Sequence, residues 1–389
     1  MAQRIEVVSW GANSHGQLGQ SHTEDVRSPQ KITNLSIVMS AVTSVTGGGG
    51  HTLLLLDDGQ AFSCGNNEKG QLGLGSEEQH ITTFHPISEL HGHVIKHVAC
   101  GWDFSLAVTA TGDVYSWGSN SYGQLGQPIH FKCSTRPQLI KRLSTECVLA
   151  VAAGLRHAGA VTVSGEVWCW GNGKKGQLGI SPQQHIGDAQ IACDTLEKID
   201  VPQKVSLDVD GKICKLFCGS FSTLALSDRG KLYGWGSNTK GQLALDPSVV
   251  KETVKPQKLP LENISGLHSG WTHVVARTSG GKLLSWGRGD YGQLGRSCPE
   301  KGFCWEPQEV EELPSVIQVC GGSEHNMALT SGNMLWSWGW NEHNMCGFEE
   351  EVNIHRPTPI SSLKNKEILL AGCGAGHSFA FVNMLKEDP

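Results

Sequence analysis

The chain has 389 residues, 49 of them Gly, 12 Trp and 13 Cys, with a formal net charge of −6. That balance, with no Lys/Arg-rich tail at either end, gives no net attraction to a nucleic-acid backbone, so direct nucleic-acid binding is not expected. No apolar run nears the roughly 18 residues that span a bilayer, and residues 1–10 lack the basic start and apolar centre of a signal peptide. Membrane insertion is therefore not expected, and the chain reads as cytoplasmic with access to the nucleus.

In chain order, the first predicted element is a short strand ending at Trp10-Gly11, which opens the motif WGANSHGQLG. The motif returns as CGNNEKGQLG from Cys64, WGSNSYGQLG from Trp117, WGNGKKGQLG from Trp170, WGSNTKGQLA from Trp235 and WGRGDYGQLG from Trp286. An eroded seventh copy, WGWNEHNMCG, begins at Trp338. The starts are 54, 53, 53, 65, 51 and 52 residues apart, a period that marks a repeat architecture. A second motif, Gly-x-x-His, ends at His51, His157, His273, His325 and His377. Two copies lack the histidine and end at Phe104 and Ser222. An apolar run follows each copy. Then comes a tight turn, at Asp58-Gly59, Thr111-Gly112, Ser164-Gly165, Arg229-Gly230, Gly280-Gly281 and Ser331-Gly332, suited to the positive φ of a hairpin.

Each unit reads as several short antiparallel strands with no helix-period segment. Such a unit cannot bury its faces alone, and radial packing around an axis solves this. The fold class is all-β: one seven-bladed β-propeller over 1–389. The first Trp-Gly strand has no His-bearing partner before it, and the last His-bearing strand has no Trp-Gly partner after it. Pairing 5–10 with 378–382 makes one blade from both ends and removes the open seam. The Trp-Gly residues are expected to fill space between sheets. Cys100, Cys218, Cys320 and Cys373, each before a Gly, are expected as small buried thiols. No C-x-x-C pair points to zinc, and no P-loop, dinucleotide fingerprint or nucleophile elbow occurs, so no cofactor and no bond-making chemistry are expected. A metal or general-base role for the recurring histidines conflicts with their spacing of one per blade, since equivalent positions around a ring do not converge on one atom; a structural role is favoured.

These motifs resemble the family of the regulator of chromosome condensation, a seven-bladed propeller, over nearly the whole chain. Segments outside the shared repeat, among them GGGGH (47–51), ACGWDFS (99–105), AAGLRHA (152–158), SGWTHVVA (269–276), GSEHN (322–326) and SWGWNEH (337–343), resemble a secretion-regulating branch of that family. The resemblance implies a guanine nucleotide exchange factor-like regulator of a small GTPase of unknown identity, acting in protein secretion and contacting an exocyst subunit. A scaffold without exchange activity is the alternative.

Candidate partner-binding residues are Trp102, Asp103, Arg156, Trp271, Thr272 and Glu324, which vary inside a fixed motif, together with the motif histidines His157, His273 and His325. By resemblance, His273 stands at a functional His of the family and Asp103 lies next to an acid. The family's most important acid, in the third copy of the motif, is replaced here by Arg156. That cation either reverses an interaction with a basic partner group or forms a surface ion pair; it argues against chromatin-bound exchange on Ran. A tryptophan-based light sensor of this fold is disfavoured by the lack of clustered GWRHT motifs. Two loops stand out, an insertion within 180–212 and a wedge-like segment at 127–135. Each is a functional loop or a tolerated surface insertion.

Overall fold

The computed structural model describes residues 5–34, 42–128, 130–181, 197–298 and 302–384. Each repeat unit forms one four-stranded antiparallel sheet, and seven sheets are formed. Blades 1 to 6 occupy 42–86, 95–139, 148–204, 213–258, 264–309 and 316–359. Blade 2 runs outward from the axis through Ile95–Cys100, Phe104–Thr109, Val114–Ser119 and Cys133–Leu139. Blade 7 joins Lys366–Cys373 and His377–Met384 to Ile5–Gly11 and Val26–Lys31. Ile5 pairs with Asn383 and Trp10 with Ser378, so the shared blade has the expected register.

Burial follows distance from the axis. The second strands His51–Leu56, Phe104–Thr109 and His325–Thr330 are buried at every position, because a sheet lies against each of their faces. Outer strands such as Glu252–Lys258 are mostly exposed. Pro137, Pro202, Pro256, Pro307 and Pro357 sit in outer strands where the pairing slips register. A proline there removes a donor from the open edge and blunts it against further strand addition.

The hairpin turns have the expected glycines at positive φ at Gly59, Gly112, Gly165, Gly230 and Gly281. Blade 6 differs. Its left-handed residue is Asn333, at φ 59°, and not Gly332. The turn is set one residue later than the Ser-Gly pair suggests, and asparagine tolerates that conformation.

Blades are joined by a repeated lock. The Trp117 indole donates to the Gln71 carbonyl of the preceding blade (2.8 Å), and Trp170, Trp235, Trp286 and Trp338 donate to the carbonyls of Gln124, Gln177, Gln242 and Gln293. Trp10 closes the ring by donating to the Met345 carbonyl. Where the tryptophan is replaced, Cys64 Sγ approaches the Gln17 carbonyl at 3.4 Å.

The buried histidines form a second lock one layer inward. His51 Nε2 lies 2.9 Å from Ser105 Oγ, and that hydroxyl donates its proton to the Gln71 carbonyl. The imidazole must therefore donate from Nε2, which leaves Nδ1 as a bare lone pair without a partner. His157 meets Thr223, His325 meets Ser378, His377 meets Thr52 and His273 meets Asn326 Oδ1 in the same way. Burial pushes His51, His273, His325 and His377 down to about 3 and His157 down to about 4, so all are neutral. The two copies without histidine, Phe104 and Ser222, have Ala158 and Val274 at the partner position of the next blade. A hydroxyl or amide is thus present only where an imidazole meets it, which avoids stranding a buried polar group.

Candidate partner-binding face

One face of the ring carries the turns between first and second strands together with the long connections between third and fourth strands. The opposite face carries the tight hairpins. On the first, or turn face, the motif Gly-x-x-His fixes the backbone and leaves the side chains free. The second x residue accepts a backbone bond from the residue after the Trp-Gly glycine: Ser119 N to Asp103 O, Asn172 N to Arg156 O, Arg288 N to Thr272 O and Trp340 N to Glu324 O are each 2.9–3.0 Å. The glycine is required at this approach. A Cβ on Gly118, at φ 102°, would lie 2.6 Å from the Asp103 carbonyl oxygen.

The first x residues surround the mouth of an axial channel of about 460 Å³. Trp102 and Trp271, from blades 2 and 5, meet across that mouth with ring centroids 5.5 Å apart. Trp102 is 39% exposed. Their backbones are held as well: Gly49 N donates to Trp102 O, Ser220 N to Trp271 O, and Trp271 N to Ser323 O.

Arg156 and Glu324 face the preceding blade's long loop, and Asp103 that of its own blade. Arg156 lies over the Tyr122 ring, 4.3 Å from its centroid, and donates to the Tyr122 hydroxyl. No carboxylate lies within 4.0 Å of its guanidinium among the described residues, so of the two alternatives the surface ion pair is not the arrangement found. Asp103 is partly buried and accepts from Gln124 Nε2 at 3.4 Å. Burial raises its carboxyl above the ordinary value, opposed by hydrogen bonds from Ser119 and Gln124 and by the Arg156 charge.

Glu324 is buried, 4% exposed. It accepts from Gln293 Nε2 at 2.6 Å and lies 3.5 Å from both Arg288 Nη1 and Thr272 Oγ1. Burial pushes its carboxyl up to about 7, against the pull of Gln293 and Arg288. His273 Nδ1 is 3.8 Å away, but a neutral imidazole makes this no ion pair. His157, His273 and His325 have no exposed surface; they sit beneath the face as inter-blade locks. Trp102, Asp103, Arg156, Trp271 and Thr272 are the predicted residues that reach it.

Sequence reasoning missed Tyr122, Tyr291 and Arg288. Arg288 stacks on Tyr291 at 4.4 Å and pairs with Asp290 at 2.7 Å. The signal was present: Tyr122 and Tyr291 share a motif position that holds His or Lys in the other five copies.

The extra residues of the fourth period lie between Val167–Asn172 and Lys198–Lys204, hence in a turn-face connection; residues 182–196 of that insertion are outside the described residues. The segment 127–135 runs into the outer strand Cys133–Leu139. Its Phe131 is 56% exposed, and Asn120 Nδ2 holds the Phe131 carbonyl at 2.8 Å; Ile129 is outside the described residues. Among the described residues no three His, Cys, Asp or Glu side chains group to hold a metal, and no helix is long and apolar enough to cross a membrane.

Comparison with known proteins fits this geometry. The family model described as RCC1-like domain matches residues 6–380. The secretion-regulating guanine nucleotide exchange factor of Bos taurus is 40% identical over 97% of this chain and 83% of its own length. The ultraviolet-B receptor UVR8 of Arabidopsis thaliana is 35% identical over 92% of this chain and 78% of its own. Among solved structures, Prp20p of Saccharomyces cerevisiae, described with its binding properties to Gsp1p and histones, superposes with a TM-score of 0.85 at 24% identity, covering 100% of this chain and 93% of that one. The chain belongs to the RCC1-like domain family.

Proposed function

We propose that this member of the RCC1-like domain family is a guanine nucleotide exchange factor-like regulator of a small GTPase, acting in protein secretion from the cytoplasm with access to the nucleus, and that it engages its partner through the turn face. The observation that carries the reading is the 40% identity to a secretion-regulating exchange factor, which extends over all seven blades. The geometry supports it in kind. Among the described residues no group on the turn face is arranged for bond-making chemistry, whereas a rigid ring presenting Trp, Tyr and Arg has the composition of a protein-binding hot spot. Exchange needs no more than that. A factor that binds the nucleotide-free GTPase more tightly weakens nucleotide binding by the same ratio. An exocyst subunit is a further proposed partner, by resemblance.

The test is release of fluorescent GDP from a panel of small GTPases, with and without the protein. Acceleration for one member is expected. Trp102→Ala and Asp103→Ala should reduce it while circular dichroism stays unchanged. If no member is accelerated, the scaffold reading replaces this one. The replacement of the family's acid by Arg156 is the observation that favours that alternative.

A further inference from the structure

Arg156 and Glu324 occupy the same position of the repeat, yet only one is saturated. Glu324 spends its carboxylate on Gln293 and Arg288, and Arg288 spends its guanidinium on Asp290 and Glu324. Arg156 is held differently. One nitrogen donates to the Tyr122 hydroxyl and the plane rests on the Tyr122 ring. This fixes the guanidinium without neutralising it. The nearby Lys174 and Lys175 face Glu197 at 3.9 Å and Glu252 at 3.4 Å, whereas Arg156, among the described residues, has no carboxylate within 4.0 Å and keeps donors to spare.

We propose that Arg156 is the specificity determinant of the turn face, and that it receives a carboxylate from an acidic segment of the protein partner. The inference rests on the reading that this face binds a protein, and adds the chemistry of the partner. A guanidinium already stacked and half-buried forms a bidentate carboxylate pair with little further ordering. Trp102, in the equivalent turn of the preceding blade and 39% exposed, offers apolar surface on the same face. Asp103 on the same seam reduces the local positive charge. That suits a single carboxylate in a mixed surface better than a doubly charged phosphate. The partner's complementary element is therefore acidic, the reverse of what an acid at this position would select.

Two probe peptides decide it. They share one leucine-rich stretch, and one carries glutamates where the other carries lysines. Binding is measured by calorimetry, and the Arg156 Nε–H signal is followed by ¹⁵N NMR, assigned with Arg156→Lys. The glutamate peptide should bind about tenfold more tightly than the lysine peptide and shift the Arg156 signal. Arg156→Gln should abolish the preference and Arg156→Glu should reverse it. The glutamine variant covers the case in which a glutamate beside Asp103 disturbs the fold. Equal binding of the two peptides, no binding of either, or a preference that survives Arg156→Gln overturns the inference. The GDP-release assay stands apart: acceleration without charge preference leaves the proposed function and removes this inference, and the converse result does the opposite.

Discussion

The seam between blades 2 and 3 and the seam between blades 5 and 6 begin with the same parts. Each has a tryptophan at the first turn position, Trp102 or Trp271, and a tyrosine in the long loop, Tyr122 or Tyr291, with an arginine stacked on it. Beneath the surface they diverge. Phe104 and Ala158 make the inner layer of the first seam apolar, whereas His273 and Asn326 make that of the second polar. Above, the first seam ends in an arginine with open donors, and the second in a carboxylate and an arginine that satisfy each other and Asp290. A charge in this ring therefore becomes available to a partner, or is consumed by the fold, according to what the adjoining blade offers it.

The largest expected effects should be alike in the two seams. Trp170→Ala and Trp338→Ala each remove a fully buried indole and its bond to the preceding blade. Each should cost about 3–5 kcal/mol by denaturant unfolding. A wide difference between them would break the premise that both seams stand on one frame. Next, Glu324→Ala should cost about 1–3 kcal/mol, because it leaves the buried Gln293 amide without its acceptor and Arg288 with Asp290 alone. Arg156→Ala should cost about 1 kcal/mol, the worth of a half-buried cation–ring contact that is not fully desolvated. Equal costs would mean that Arg156 belongs to the fold as fully as Glu324 does.

The pH profile sharpens the contrast further. Glu324 titrates at about 7 when folded against an ordinary 4.5, so the native state holds this proton longer than the unfolded chain. Its contribution to stability falls as pH rises from about 4.5 to 7, by no more than the single-proton slope of about 1.4 kcal/mol per pH unit. The buried histidines act oppositely. Neutral in the fold down to about 3, they cost stability as pH falls below 6.5. The Glu324→Gln variant should lose the first component and keep the second; a profile parallel to the parent's would show that Glu324 does not titrate in this window. The smallest effect concerns the inner layer. Converting His273 and Asn326 together to Phe and Ala, the pair found at 104 and 158, should destabilise less than the sum of the single changes, with a coupling of about 1 kcal/mol in a double-mutant cycle.

The ring and its closing blade were legible because two motifs, each repeated seven times, left one strand over at either end. The variable turn residues were legible for the same reason, since a fixed backbone makes differences visible. The fate of each side chain was not. Glu324 and Arg156 look alike as charged residues before a histidine, and only the positions of Gln293, Arg288 and Tyr122 in adjoining blades separate a saturated acid from an open cation. One clue could have been drawn from letters alone: Phe104 with Ala158, and Ser222 with Val274, show that the histidine reads the next blade's residue and is therefore internal. The hairpin of blade 6 was misplaced because Gly332 drew attention away from Asn333.

The shared blade also sets the polarity of the molecule. Ile5–Gly11 runs toward the turn face and His377–Met384 runs away from it, so Ile5 and Asn383 lie side by side at the hairpin face. A label attached at Ile5 or Asn383 is carried on the far side from Trp102 and Arg156. A short link between these two positions, with new ends cut at Thr111-Gly112, would give a circular permutant with the same ring and the same recognition face.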